Sequence, residues 1–230
     1  MTKFFRKIRQ KMNALLIVSL IVFGSCESSQ RVYLETAASP TIESAETLLI
    51  EYAEFKPESI AKFELDGFDV DSAYKIDSLF IFAAYVEGDL NLSDEPTNWG
   101  DRLVVYCNNK IKFQSKPVGD VYLYGPHFYK NQVNSTVIII CQLGYEYYFG
   151  GEAFLIEKGK IQYLGLIEIE SADSETSLTD IVTINEVADE IFFKFKSDSL
   201  NYKPGGQDLI IKNDNIHYTF KNGVFDLKGL

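Results

Sequence analysis

The chain has 230 residues, with 22 Lys or Arg against 33 Asp or Glu and a net charge of −11. So acidic a polymer repels nucleic acid, whose binding needs clustered basic residues, and that function class is excluded. Three cysteines and two histidines leave little material for a zinc site, and no P-loop, G-x-S-x-G, H-E-x-x-H, C-x-x-C or dinucleotide fingerprint occurs. No metal and no cofactor are expected.

The first segment, MTKFFRKIRQKMN, carries Lys3, Arg6, Lys7, Arg9 and Lys11 and no acid. An uncharged apolar run follows from Ala14 to Gly24, too short for the roughly 18 residues that a membrane-spanning helix needs. Charge, then apolar run, then small residues is the order of a secretory signal. A buried amphipathic helix would need polar positions at helical spacing, and Ser19 alone interrupts the run. The segment Phe23-Gly24-Ser25-Cys26 resembles the lipobox of bacterial lipoproteins: two small residues, then the cysteine that is lipidated and becomes the mature N-terminus. Phe23 stands where that family usually has Leu, and the resemblance covers this segment alone. It implies a signal peptide over residues 1–25, lipid attachment at Cys26, and anchoring to a membrane, the outer membrane of a Gram-negative bacterium being the expected one. More than one acyl chain would anchor the protein firmly. Cleavage by an ordinary signal peptidase near Gly24-Ser25 is the alternative. Loss of the five basic residues takes the net charge from −11 to −16.

Residues 26–45, rich in Ser, Thr, Ala and Glu and broken by Pro40, read as a flexible tether with a reach of about 25 Å. Residues 46–230 suit a single β-rich domain. Runs such as TLLIEYAEF, IAKFELDGF, IDSLFIFAAYVEG, RLVVYCNN, TVIIICQL, EAFLIEK, EIFFKFKS and NIHYTFKN are rich in Ile, Val, Phe and Tyr. Asn108-Asn109, Lys158-Gly159, Asn213-Asp214 and Asn222-Gly223 each separate two such runs and predict tight hairpins. The expected fold is all-β: an antiparallel β-sandwich or open barrel of many short hairpin-connected strands. Short helices fit around residues 42–54 and 178–190. No blade repeat points to a propeller.

Cys107 shares a strand face with Leu103 and Val105, and Cys141 shares one with Val137, Ile139 and Leu143, so both thiols are expected in the core. Outside the cytoplasm a Cys107–Cys141 disulfide is permitted; two separate buried thiols fit equally well. His217 alternates with polar residues and is expected at the surface. His127 follows Gly125-Pro126 and is expected in a turn, where it is the one candidate general base, beside Asp120 or Tyr129. Asp66, Asp69, Asp71 and Asp77, and a second stretch from Glu87 to Glu95, offer oxygen donors of the kind a calcium loop uses. The second stretch has Asp94 where the turn glycine belongs and Gly100 where a bidentate Glu is needed. Both read as solvated acidic loops.

Two glycine-bounded aromatic clusters remain, Tyr122–Tyr129 and Tyr145–Phe149. In a straight strand Tyr145, Tyr147 and Phe149 would face the core and Tyr148 the solvent. Tyr124, His127, Tyr129 and Tyr148 are therefore the candidate ligand or partner surface. Three functions fit: a membrane-anchored, non-catalytic envelope domain binding a ligand, glycan or protein; an acidic inhibitor or immunity-type protein neutralising a basic partner; and an envelope hydrolase using His127.

Overall fold

The structure is a computed structural model that describes residues 48–86, 99–119, 121–173 and 175–230. The signal, Cys26, the tether, the acidic stretch from Glu87 to Glu95, and Asp120 lie outside the described residues. In chain order the strands are β1 (Leu49–Phe55), β2 (Glu58–Ser59), β3 (Asp69–Ile76), β4 (Leu79–Val86), β5 (Gly100–Cys107) and β6 (Lys110–Gln114). Then come β7 (Leu123–Asn131), β8 (Val137–Gly144), β9 (Tyr148–Glu157), β10 (Lys160–Ile167) and β11 (Ile169–Ser171). One helical turn, α1 (Leu178–Ile181), leads into β12 (Val182–Val187) and β13 (Glu190–Phe195). The chain ends with β14 (Ser199–Tyr202), β15 (Leu209–Lys212), β16 (His217–Lys221) and β17 (Val224–Lys228).

Every pairing is antiparallel, as the all-β expectation required. The largest sheet runs β10-β9-β8-β7-β1-β12-β13-β16-β17, the second runs β2 to β6 in chain order, and the third is β11-β14-β15. The nine-stranded sheet curls until it is nearly a barrel. Its two edge strands approach each other where the Phe225 ring of β17 lies over Gly165 of β10. Ile138, Ile140, Leu155, Ile184, Phe193 and Tyr218 fill its interior. The other face of β7, β8 and β9 presents Phe128, Val137, Ile139, Cys141, Leu143, Phe154 and Ile156 to Leu79, Ile81, Leu103 and Val105 of the five-stranded sheet. The far side of that sheet is closed by Phe63, Leu65 and Phe68.

Turn chemistry accounts for most of the path. Asn108-Asn109 (φ 51° and 57°), Lys158-Gly159 (50° and 72°) and Asn222-Gly223 (52° and 79°) join β5 to β6, β9 to β10 and β16 to β17, as predicted. Positive φ at both central residues matches the twist of the flanking strands. Asn213-Asp214 is different: β15 and β16 belong to separate sheets, so no hairpin forms there. The Asn213 amide instead donates to the Phe195 and Ser197 carbonyls, each at 2.8 Å, and its oxygen accepts from the Ile216 N–H. Asn213 braces a crossover. Within IDSLFIFAAYVEG, Ile76 ends β3, Asp77 turns the chain, and β4 begins at Leu79. IAKFELDGF is irregular apart from a Leu65–Phe68 bridge, and it serves as the lid just described. Around 178–190 the helix is confined to the single turn of α1.

One buried network ties α1 to the large sheet. Glu170 of β11, 2% exposed, accepts from the Gln142 side-chain amide and the Gly150 N–H, both at 2.6 Å. Gln142 also donates to the Gly150 carbonyl and accepts from the Thr179 N–H. Gly150 has φ +93°, and a Cβ there would run into the Ile167 carbonyl, so only glycine fits. Burial pushes the Glu170 carboxyl up to about 7, the hydrogen bonds from Gln142 and Gly150 notwithstanding. The folded state therefore binds the proton more tightly than the unfolded chain, and stability falls as pH rises from the ordinary Glu value through about 7. Glu170→Gln removes the charge and keeps a carbonyl acceptor. Urea unfolding is expected to show parent-like stability near about pH 4 and a gain on the order of 3 kcal/mol near about pH 8.

Candidate functional site: an acidic aromatic cleft

On the side of the five-stranded sheet that meets the large sheet, the apolar pattern stops one step before the strand ends. Ile81 and Ala83 of β4 are followed on that face by Tyr85; Val105 and Leu103 of β5 are preceded by Asp101. Tyr85 pairs with Asp101 across β4–β5 and with Asp69 across β3–β4, which sets the three in a row. The register of β3 shifts between Val70 and Ser72, so Asp71 is an extra residue in the strand. Such a bulge re-aims a side chain, and here it brings Asp71 into hydrogen-bonding contact with Asp101.

The opposite wall is aromatic. Val121, Tyr122 and Tyr124 lead into and begin β7, Tyr145 follows β8, and Trp99 precedes β5. Together with Tyr85 and the three aspartates, these side chains line an open cleft of about 470 Å³. Tyr122 and Tyr145 stack with ring centres 4.9 Å apart and planes within 6°, although they are 80% and 48% exposed. Trp99 is seated by glycine. A Cβ on Gly119 would lie 2.9 Å from its ring, and one on Gly100 (φ +114°) would collide with Val118. Those glycines let Val118 exchange backbone hydrogen bonds with Asp101 at 2.9 and 2.8 Å.

The electrostatics follow from this crowding. Asp101 is 8% exposed, and its carboxyl is pushed up to about 6 by burial first and by the charge of Asp71 second. Asp71 is raised too, by burial and by Asp69. Like carboxyls in contact cannot both ionise cheaply, so Asp101 keeps its proton longer and gives it to a hydrogen bond with Asp71. No ion pair among the described residues engages Asp69, Asp71 or Asp101. Beneath them the Tyr124 hydroxyl donates to Glu152 Oε2 at 2.6 Å, and Tyr163 also bonds that carboxylate. Burial raises Glu152, and it raises the neighbouring Cys141 thiol well above its ordinary value.

The expected surface of Tyr124, His127, Tyr129 and Tyr148 is not one surface. Tyr129 is buried in the barrel interior because β7 is an inner strand, and its hydroxyl donates to the Thr179 carbonyl. Tyr124, 7% exposed, is core on one side and cleft floor on the other. His127 lies within β7 opposite Ile140, not in a turn. Pro126 is tolerated because the β1 ladder stops at Phe128, leaving β7 an edge at that point. The His127 ring is half-exposed, 3.3 Å from Glu54, and lines none of the described clefts. Tyr148 is half-buried beside Glu170 and Asn201 in a separate recess. Tyr145 and Tyr147 are exposed, contrary to the straight-strand expectation, because the chain turns between β8 and β9. Cys107 and Cys141 are both buried and unbonded, the second of the two arrangements the sequence allowed.

Asp69 and Asp71 are strand residues, Asp77 a hairpin residue, and Asp66 sits in the Leu65–Phe68 turn. Among the described residues no three His, Cys, Asp or Glu side chains are placed to hold a metal ion. The sequence pattern marked Asp71 and the tyrosines singly but not their meeting. The one available signal was an acid, Asp101, at an inward position of an apolar strand. No protein-family model, curated protein or solved structure matches this chain.

Tyr124→Phe leaves the cleft floor in shape but removes the bond to Glu152. Denaturant unfolding is expected to show a loss of about 1–2 kcal/mol, the cost of leaving a buried carboxylate one donor short.

Proposed function

We propose that this chain is an exported, lipid-anchored envelope protein whose β domain is a receptor that binds a small ligand in the acidic aromatic cleft without transforming it. The observation that carries the reading is the convergence of Asp69, Asp71 and Asp101 with Trp99, Tyr85, Tyr122 and Tyr145 at one end of the sandwich. A concave site with a few polar groups set among aromatic walls is the usual form of a ligand site. The address rests on the basic start, the apolar run and the lipobox-like Phe23–Cys26, with the outer membrane of a Gram-negative bacterium as the site of anchoring.

Binding without catalysis is favoured by the same geometry. Asp71 and Asp101 touch, whereas carboxyls that cleave a glycosidic bond stand about 5 Å or more apart. A hydrolase centred on His127 would need a cleft around it, and its ring faces Glu54 at a half-exposed surface. An inhibitor of a basic protein would meet its partner with a flat acidic face, and these acids are sunk between aromatics.

Two measurements test the reading. Trp99 is the only tryptophan in the chain, so its emission reports the cleft directly. A small-molecule library read by Trp99 emission is expected to yield ligands whose binding falls at least about tenfold in Tyr122→Ala/Tyr145→Ala, the loss of two aromatic contacts. Undiminished binding in that variant would move the ligand elsewhere. For the address, Cys26→Ala is expected to abolish metabolic lipid labelling and membrane association; retained label would reject lipidation at Cys26.

A further inference from the structure

We propose that the cleft is built for an organic cation, an ammonium or guanidinium group held between the Asp71–Asp101 carboxyls and the faces of Trp99 and the Tyr122–Tyr145 stack. The inference deepens the receptor reading and rests on it.

Three features lead there. Asp101, a residue only 8% exposed, lines the cleft, and the side chain its carboxyl bonds is another acid. Two carboxyls pressed together and facing a third at Asp69 leave a field that a cation satisfies and a neutral ligand does not. The aromatic wall is the second feature. Tyr122 and Tyr145 are stacked while exposed, so their outer faces carry no packing duty within the described fold. Aromatic faces attract cations, most strongly where solvent is thinned. The third feature is what the site lacks for other occupants. A metal ion would need three or more hard ligands converging, and no such group exists among the described residues. A sugar would use the rings but leave the shared proton of the acid pair unexploited.

The binding should depend on pH. The charged or titratable groups around the pair are Asp69 on β3, Tyr85 on β4, Arg102 next along β5, Tyr122 and Tyr124 of the β7 segment, and Tyr145. The Asp101 carboxyl is held up to about 6, so below that value it is neutral and the site loses one unit of negative charge. A bound cation favours the ionised pair, and proton and cation therefore compete.

The purified full-length chain, with Trp99 emission and calorimetry as readouts, tests this. The probes are agmatine, a capped arginine peptide, tetramethylammonium and glucose. Agmatine or the arginine peptide is expected to bind at about pH 7 and about tenfold more weakly at about pH 5, one proton's competition at a carboxyl titrating near 6. Asp101→Asn is expected to weaken binding at least about tenfold at about pH 7 and to flatten the pH dependence, since it fixes the neutral form. An unfolding midpoint no lower than the parent's shows that this variant is folded. Agmatine alone binding assigns a free small amine; the peptide binding as well assigns an arginine side chain of a partner. Tetramethylammonium binding alone assigns a quaternary cation held by the rings, and it supports the proposal if Asp101→Asn weakens it. Equal affinity of parent and Asp101→Asn overturns the proposal, as does failure of all three cations. Glucose binding while the cations fail overturns the cation and leaves the receptor reading standing.

Discussion

Three strands, β7, β8 and β9, are covered on both faces, and the rest of the molecule is arranged around that requirement. Every residue of β8 is buried. An antiparallel strand normally keeps one face wet and so reads as an alternation. Here one face fills the curled nine-stranded sheet and the other packs on the five-stranded sheet, so the same strand must be apolar at nearly every position. That double burial joins the two layers into one domain. It also explains why Gln142 and Glu152, polar side chains buried in β8 and β9, are held by hydrogen bonds on the inside. Unpaired, each would cost more than the burial around it returns.

The cleft is what happens where this double layer ends. Beyond Ala83, Leu103 and Leu143 there is no more apolar partner surface to cover, and the inner face changes to Tyr85, Asp101 and Tyr145. Placing carboxyls there works against stability, because burial and mutual repulsion both resist their ionisation. Sites that cost the fold stability are where function is commonly found. The bulge at Asp71 fits the same pattern, since it spends a regular ladder position to aim one side chain.

Much of the fold was legible in the sequence because its signals are local. Asn108-Asn109, Lys158-Gly159 and Asn222-Gly223, each set between two apolar runs, favour left-handed turns, and the hairpins at 108, 158 and 222 follow. Ala188-Asp189 makes an equally tight turn with φ 50° and 60°, yet neither residue advertises it; tertiary pairing of β12 with β13 imposes the conformation. Asn213-Asp214 shows the reverse, a turn signal used to leave one sheet for another. Periodicity told which residues share a face but not which face meets which. That gap hid the burial of Tyr129 and the exposure of Tyr145. The cleft was less legible still, since it draws on β3, β4, β5, β7 and the segment after β8. The pattern shows the acids and rings singly, while their meeting depends on long-range register and a one-residue bulge.

The position of β1 has a mechanical consequence. It is the first described strand, yet it sits in the middle of the largest sheet, laddered to β7 on one side and β12 on the other. A pull applied through the N-terminal end of the domain therefore runs along a strand held on both flanks. Both ladders would be loaded in shear, with their bonds sharing the force, and neither could open one bond at a time. Putting the point of entry at the centre of the sheet makes the first strand the hardest one to peel away.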